Sequence, residues 1–200
     1  MNFNLFGKIA GAIALTVALT GCIDVTMDIE IQNDTTGKAT MTSVMGKDFY
    51  AMVKAGAESG DTSGSDDFCK EDEGTLTELP DGSAQCIQIK EGPFADIAEG
   101  DDGGPTFTVV SPGVVRVAFA TKEMSSEVSE GAQDEETKAM LAAFFEGHFL
   151  TMKIGGKKVT DTNMTLAADG MSAETKIPFL DLINGTAELP DEYYAVVDTN

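Results

Sequence analysis

The chain has 200 residues, 42% of them hydrophobic and 24% charged, the composition of one ordinary globular domain and not of a disordered or fibrous chain. Acidic residues outnumber basic ones 34 to 13, for a net charge of -21, which argues against a nucleic-acid partner because phosphate binding needs a basic face. One His and no Trp leave little room for histidine-based metal sites or histidine-dependent catalysis.

The first segment reads as an address. Residues 1–7 carry no charged side chain, Lys8 supplies a lone positive charge, and residues 9–18 form an apolar run. A run of about ten residues is too short for a bilayer, which needs about 20, and has the length of a signal-peptide hydrophobic region. Leu19-Thr20-Gly21-Cys22 follows directly. This tetrad resembles the lipobox of bacterial lipoproteins: Leu, two small residues, then Cys. The resemblance implies a signal peptide over 1–21, cleavage before Cys22, and acylation of the Cys22 thiol. Two or more acyl chains hold a protein stably on a membrane where one does not. In enteric-type lipoproteins an Asp directly after the Cys retains the protein in the inner membrane. Ile23 stands there, with Asp24 next, so the resemblance favours the outer membrane, on its periplasmic side.

The mature chain, 22–200, reads as a single exported domain. Ile23, Val25, Met27, Ile29 and Ile31 alternate with Asp24, Thr26, Asp28 and Glu30, a strand with one apolar and one wet face. A turn over 32–37 leads to a second strand over 38–45, making a hairpin that starts at the anchor. Asp48 caps a short helix carrying Phe49, Met52 and Val53, stopped by Gly56. Residues 57–83 read as an acidic loop, followed by a strand over 84–90 and a second acidic loop over 92–105. Strands over 106–110 and 114–121 join across Pro112-Gly113, a type II turn pair.

The strongest helix signal covers 134–146. Three acids open it, Met140, Leu141, Phe144 and Phe145 form one face, and Gly147 ends it. Strands over 148–154 and 159–166 flank Gly155-Gly156, a hairpin signal, and Asp169-Gly170 turns into a strand over 171–177. The three read as an antiparallel meander. Pro178 opens a short helix stopped at Asn184-Gly185, and Tyr193 to Val197 forms a closing strand. The fold class is therefore α+β, mainly antiparallel sheet, with one or two helices packed on one face.

With Cys22 acylated, Cys69 and Cys86 remain. In an oxidising compartment two leftover thiols pair, closing a polar, turn-rich loop with little core of its own. Neither C-x-x-C spacing nor a nearby His supports a redox or metal role for them. Asp61-Thr62-Ser63-Gly64-Ser65-Asp66-Asp67 places oxygen side chains at alternate positions, which suits a hard cation. An EF-hand loop needs Gly at its sixth place, where Asp66 stands, and favours Glu at its twelfth, where Asp72 stands. The segment thus reads as a solvated acidic loop in which Asp61, Asp66 and Asp67 are the metal-ligand candidates. His148, between Gly147 and Phe149, reads as structural. No G-x-S-x-G elbow or P-loop is present, no motif implies a cofactor, and nothing marks a particular catalytic pair among the acids.

Lipobox, alternating acidic strand, Thr/Gly turn, second strand and short helix, in that order, resemble LppM-like bacterial lipoproteins over residues 19 to about 55. The Gly-turn strands from His148 to Ile177 do so more loosely. The resemblance implies an α+β domain that binds lipids or glycolipids, and carries over no site residue except Cys22. The family's C-terminal transmembrane helix has no counterpart before Asn200. The expectation is a non-catalytic, lipid-anchored binding or assembly module of the envelope, attached to the membrane, with a lipid or an envelope protein as partner. In its sharper form an apolar pocket lies between the sheet and the Met/Phe helix. The alternatives are a carboxylate-dependent envelope hydrolase and a purely structural acidic envelope protein.

Overall fold

A computed structural model describes residues 23–58, 68–69, 74–98, 104–121, 139, 142 and 145–200. Strand β1 (Ile23–Ile31) pairs antiparallel with β2 (Thr36–Met45) along its full length, Ile23 opposite Met45 and Ile31 opposite Gly37. Asn33 makes the connecting turn, its Oδ1 accepting the backbone N–H groups of Thr35 and Thr36, both at 2.9 Å. Helix α1 (Lys47–Glu58) carries Asp48 in its first turn and runs past Gly56. A glycine costs an α-helix only about 1 kcal/mol, so it weakens the helix there without ending it.

The segments expected to be acidic loops contain regular structure. Within 57–83, Thr75–Glu78 form β3, which pairs antiparallel with β4 (Ala84–Pro93). The Thr-Leu-Thr run suits a strand, and the Cys69–Cys86 disulfide fastens the preceding chain to β4. Within 92–105, β4 continues to Pro93 and α2 (Phe94–Ala98) follows, burying Ile97. Ile97 enters the core, and Phe94 packs against it while stacking on Phe107 with ring centroids 4.5 Å apart, so two apolar side chains dock the segment. The strands β5 (Thr106–Ser111) and β6 (Val114–Ala120) form the expected hairpin, with Gly113 at φ 73° in its turn. The helix expected over 134–146 lies almost wholly outside the described residues.

The last third departs from a meander. It contains β7 (Phe149–Gly155), β8 (Lys158–Thr162), β9 (Thr165–Leu166), β10 (Ser172–Pro178), α3 (Phe179–Ile183) and β11 (Glu192–Asp198). Strand β7 pairs with β10 on one side and, in parallel, with β1 on the other, while β8 pairs with β11. The two sheets run β3-β4-β2-β1-β7-β10-β9 and β5-β6-β11-β8. Gly155-Gly156 is therefore a corner where the chain leaves one sheet for the other. A Cβ at Gly156 would lie 2.7 Å from Val197 Cγ1 and 2.8 Å from the Ile31 carbonyl oxygen. Both contacts are too close for any side chain, so the crossing needs glycine.

The inward faces of the two sheets make one core. Ile29, Ile31, Met152, Ile154, Ala173 and Ile177 come from the larger sheet, and Val115, Val117, Phe119, Val159, Ala195 and Val197 from the smaller. Ile97 of α2 and Leu182 of α3 join the same cluster. The class is α+β and mostly antiparallel, and the second sheet supplies most of the cover that the alternation on β1 demands. This arrangement leaves the opposite face of the larger sheet open to solvent, and that face carries the site described next.

Candidate functional site

The wet residues of β1 sit on the outer face of the larger sheet, because side chains alternate across a strand. Pairing brings Asp28 level with Thr40 of β2 and Lys153 of β7, and Glu30 level with Lys38 and Gly155. On the far side of β7, Lys153 is level with Glu174. The face is thus a ladder of opposite charges, the cross-strand pairing that sheets favour. Lys153 Nζ donates to Asp28 Oδ2 at 2.7 Å.

A half-open cleft of about 480 Å³ lies over this ladder. Asp28, Glu30, Lys38, Thr40 and Lys153 form one wall, and Asp169, Met171 and Ser172 the other. Gly155 and Gly156 also line it, and a Cβ at Gly155 would lie 3.2 Å from both the Met171 carbonyl oxygen and Ser172 Cβ. The second wall is a tight turn. Ala167 N–H donates to Ser172 O at 2.8 Å, Gly170 N–H to Ala167 O at 2.9 Å, and Asp169 Oδ1 accepts from Met171 N–H at 3.0 Å. Gly156 N–H donates to Met171 O at 3.0 Å, which fixes the turn to the sheet corner. The cleft offers two ammonium groups, three carboxylates and two hydroxyls. Such a lining recognises a polar, hydroxyl-bearing or mixed-charge group rather than an acyl chain.

The hydrogen bond to Asp28 holds the Lys153 ammonium above the usual lysine range. Partial burial opposes this, and the charges of Asp28, Glu174 and Glu30 reinforce it. A raised lysine pKa contributes stability that is fully present below the unfolded-state value and lost as pH rises through the folded-state value. The two side chains are 37% and 36% exposed, so solvent screening limits the contribution to well under about 1 kcal/mol. Lys153→Met should lower the urea midpoint slightly at neutral pH, and the difference from wild type should vanish at alkaline pH above the raised value. A difference that persists there would show that the lysine acts through its methylene stem and not its charge.

At the other end of β1, Asp24 Oδ2 lies 3.1 Å from His148 Nδ1, and Asp24 Oδ1 accepts from Phe149 N–H at 2.9 Å. His148 thus helps fasten β7 to β1. Cys69 and Cys86 are bonded to each other, with Cα atoms 5.6 Å apart. Cys22, Asp61, Asp66 and Asp67 lie outside the described residues. Among the described residues no group of three or more His, Cys, Asp and Glu side chains is placed to hold a metal ion, and no helix is long and apolar enough to cross a membrane. Reading the sequence missed Lys38, Lys153 and Asp169. The alternation on β1 marks Asp28 and Glu30 as wet; Lys38 joins them across the β1–β2 hairpin, but the remaining partners come from β7 and the 167–171 turn, more than a hundred residues away.

No family model matches the chain, and no curated protein does. Among solved structures it is similar to the folded domain of the Mycobacterium tuberculosis LppM protein, determined by NMR. The identity is 10%, the match covers 90% of this chain and 91% of that one, and the TM-score is 0.45. A likeness at this level carries neither family nor function.

Proposed function

We propose that this chain is a lipid-anchored exported domain of the bacterial envelope. It is held to the membrane through Cys22, on the periplasmic side with the outer membrane favoured, and acts as a non-catalytic binding or assembly module. The observation that carries this reading is the junction between motif and fold: the lipobox ends at Cys22, and β1 begins at the next residue, Ile23. Nothing of the described body is used up by the signal, and nothing separates the body from the anchor. The disulfide between Cys69 and Cys86 supports the same compartment, since such bonds persist in oxidising surroundings.

The cleft over Asp28, Lys38 and Lys153 is the binding site in this reading, and its lining suits the polar portion of a ligand, such as a sugar or a head group. An apolar pocket between the sheet and the 134–146 helix would take the acyl part of a lipid, but that helix lies almost wholly outside the described residues. An envelope protein presenting polar groups would use the same cleft.

Cys22→Ser tests the anchor. The variant should keep its signal segment and lack the mass of the acyl groups, because serine offers no thiol for the lipid and the cut before residue 22 depends on that lipid. A Cys22→Ser chain that stays membrane-bound with unchanged mass would end the proposal.

A further inference from the structure

The described surface carries a second feature that this reading leaves unused: two exposed apolar side chains, one on β7 and one on α1, both level with the anchor end of the larger sheet. Phe149 is 38% exposed and Met52 56% exposed. Three register relations place them level with Ile23. Phe149 N–H is hydrogen-bonded to Asp24, the neighbour of Ile23. Met45, paired with Ile23, leads through Gly46 into α1. Tyr50 and Lys54 of α1 both donate to Glu78 Oε1, at 3.0 and 2.7 Å, and Glu78 stands in the row Glu78, Ala84, Met45, Ile23 across the strands. Because Tyr50 and Lys54 share one helix face, Met52, two residues from each, lies on the opposite face.

We propose that this end of the domain, with Phe149 of β7 and Met52 of α1, rests in the interface of the bilayer that anchors it. The inference rests on lipidation at Cys22. Consecutive Cα atoms are about 3.8 Å apart, so a lipid on Cys22 brings Ile23 to the head-group boundary with no linker to hold it away. Aromatic and aliphatic side chains exposed at that level gain by entering the head-group and acyl boundary, which surface-lying elements reach to a depth of about 5–10 Å. The occupant is the lipid surface itself, since the anchor already brings it there. With a net charge of -21 the contact is apolar, and it forms on zwitterionic lipid without help from anionic head groups. The cleft lies at the other end of β1. Glu30 is seven residues from Ile23, about 23 Å along a strand at about 3.3 Å per residue, so the cleft stands clear of the membrane and open to the periplasm.

The chain has no Trp, so single reporters are unambiguous. Phe149→Trp, Met52→Trp and Leu166→Trp are made in the full chain, purified from membranes with the lipid attached, and reconstituted into phosphatidylcholine vesicles with and without brominated acyl chains. Leu166 is 50% exposed and stands in the row of Ile29, about 20 Å above Ile23. Brominated lipid should quench Phe149→Trp and Met52→Trp about twofold, the signature of burial at the acyl boundary, and leave Leu166→Trp unchanged. A lipidated, vesicle-bound chain in which neither Phe149→Trp nor Met52→Trp is quenched overturns this orientation alone, and so does equal quenching of all three. A purified chain whose mass shows no lipid on Cys22 overturns the anchor reading, and this inference with it.

Discussion

Ile154→Ala should lower the unfolding free energy by about 4 kcal/mol, the range for truncating a fully buried isoleucine. Ile154 has no exposed surface and sits on β7 in a row with Ile29 of β1 and Ala173 of β10. That row lies at the middle of the larger sheet and belongs to the same core as Val115, Val117, Val159 and Val197 of the smaller sheet. Removing three carbons there leaves a cavity that strands on both sides are too constrained to close. Urea titration should show a lower midpoint with unchanged slope, because the folded topology and the surface exposed on unfolding stay the same. Ile154→Val, which deletes one methylene group, should cost about 1 kcal/mol.

The informative contrast is Ile89→Ala. Ile89 is also an isoleucine within the larger sheet, but it faces outward with Thr40 and is 55% exposed, so its truncation should stay within about 0.5 kcal/mol. Comparable losses at Ile154 and Ile89 would mean that both faces of the sheet are covered. The cleft over Asp28 and Lys153 would then not be open to a ligand.

How the sequence discloses this architecture depends on the range of each interaction. Strand β1 is legible residue by residue, because five apolar side chains alternating with four polar ones express a local rule. The Pro112-Gly113 turn is legible for the same reason, since its chemistry is complete within two residues. The pairing of β1 with β7 is not. It joins Val25 to Leu150, and neither segment contains a signal of the other's register. Gly155-Gly156 is the sharpest case: the same dipeptide suits a tight hairpin and a crossing between sheets. What decides is the approach of Val197 and the Ile31 carbonyl, which only the assembled core provides. Strand β3 was hidden for a related reason. Its residues are all exposed, so no hydrophobic alternation announces it, and its place is set by β4 and the nearby disulfide. The cleft inherits these limits. Asp28 and Glu30 could be read as wet, while Lys153 and the 167–171 turn reach them only through the non-local pairing.

Breaking the Cys69–Cys86 bond should cost about 3 kcal/mol, the chain-entropy value for a closed loop of this size, whose ends are 17 residues apart. The double variant Cys69→Ala/Cys86→Ala is the cleaner test because it leaves no free thiol. For a chain of this length the loss corresponds to a fall in Tm of about 6–12 °C. Both sulfurs are enclosed, with Cys69 8% and Cys86 2% exposed. A Cβ at Gly74 would lie 2.9 Å from Cys86 Sγ and 3.1 Å from Cys69 Sγ, so the bridge is packed against the chain entering β3. The effect should therefore be local before it is global. Strand β3 pairs with β4 over only four positions, Thr75 to Glu78, and a short edge strand with no buried side chain has little of its own to hold it. Amide exchange at residues 75–78 should accelerate in the double variant more than at β1 or β7, whose protection rests on the core between the sheets. Glu78 also receives Tyr50 and Lys54 of α1, so α1 should exchange faster along with β3. Equal acceleration in every strand would instead mean that the bridge stabilises only by restricting the unfolded chain. An unchanged Tm would mean that β4 and α1 hold the segment without it.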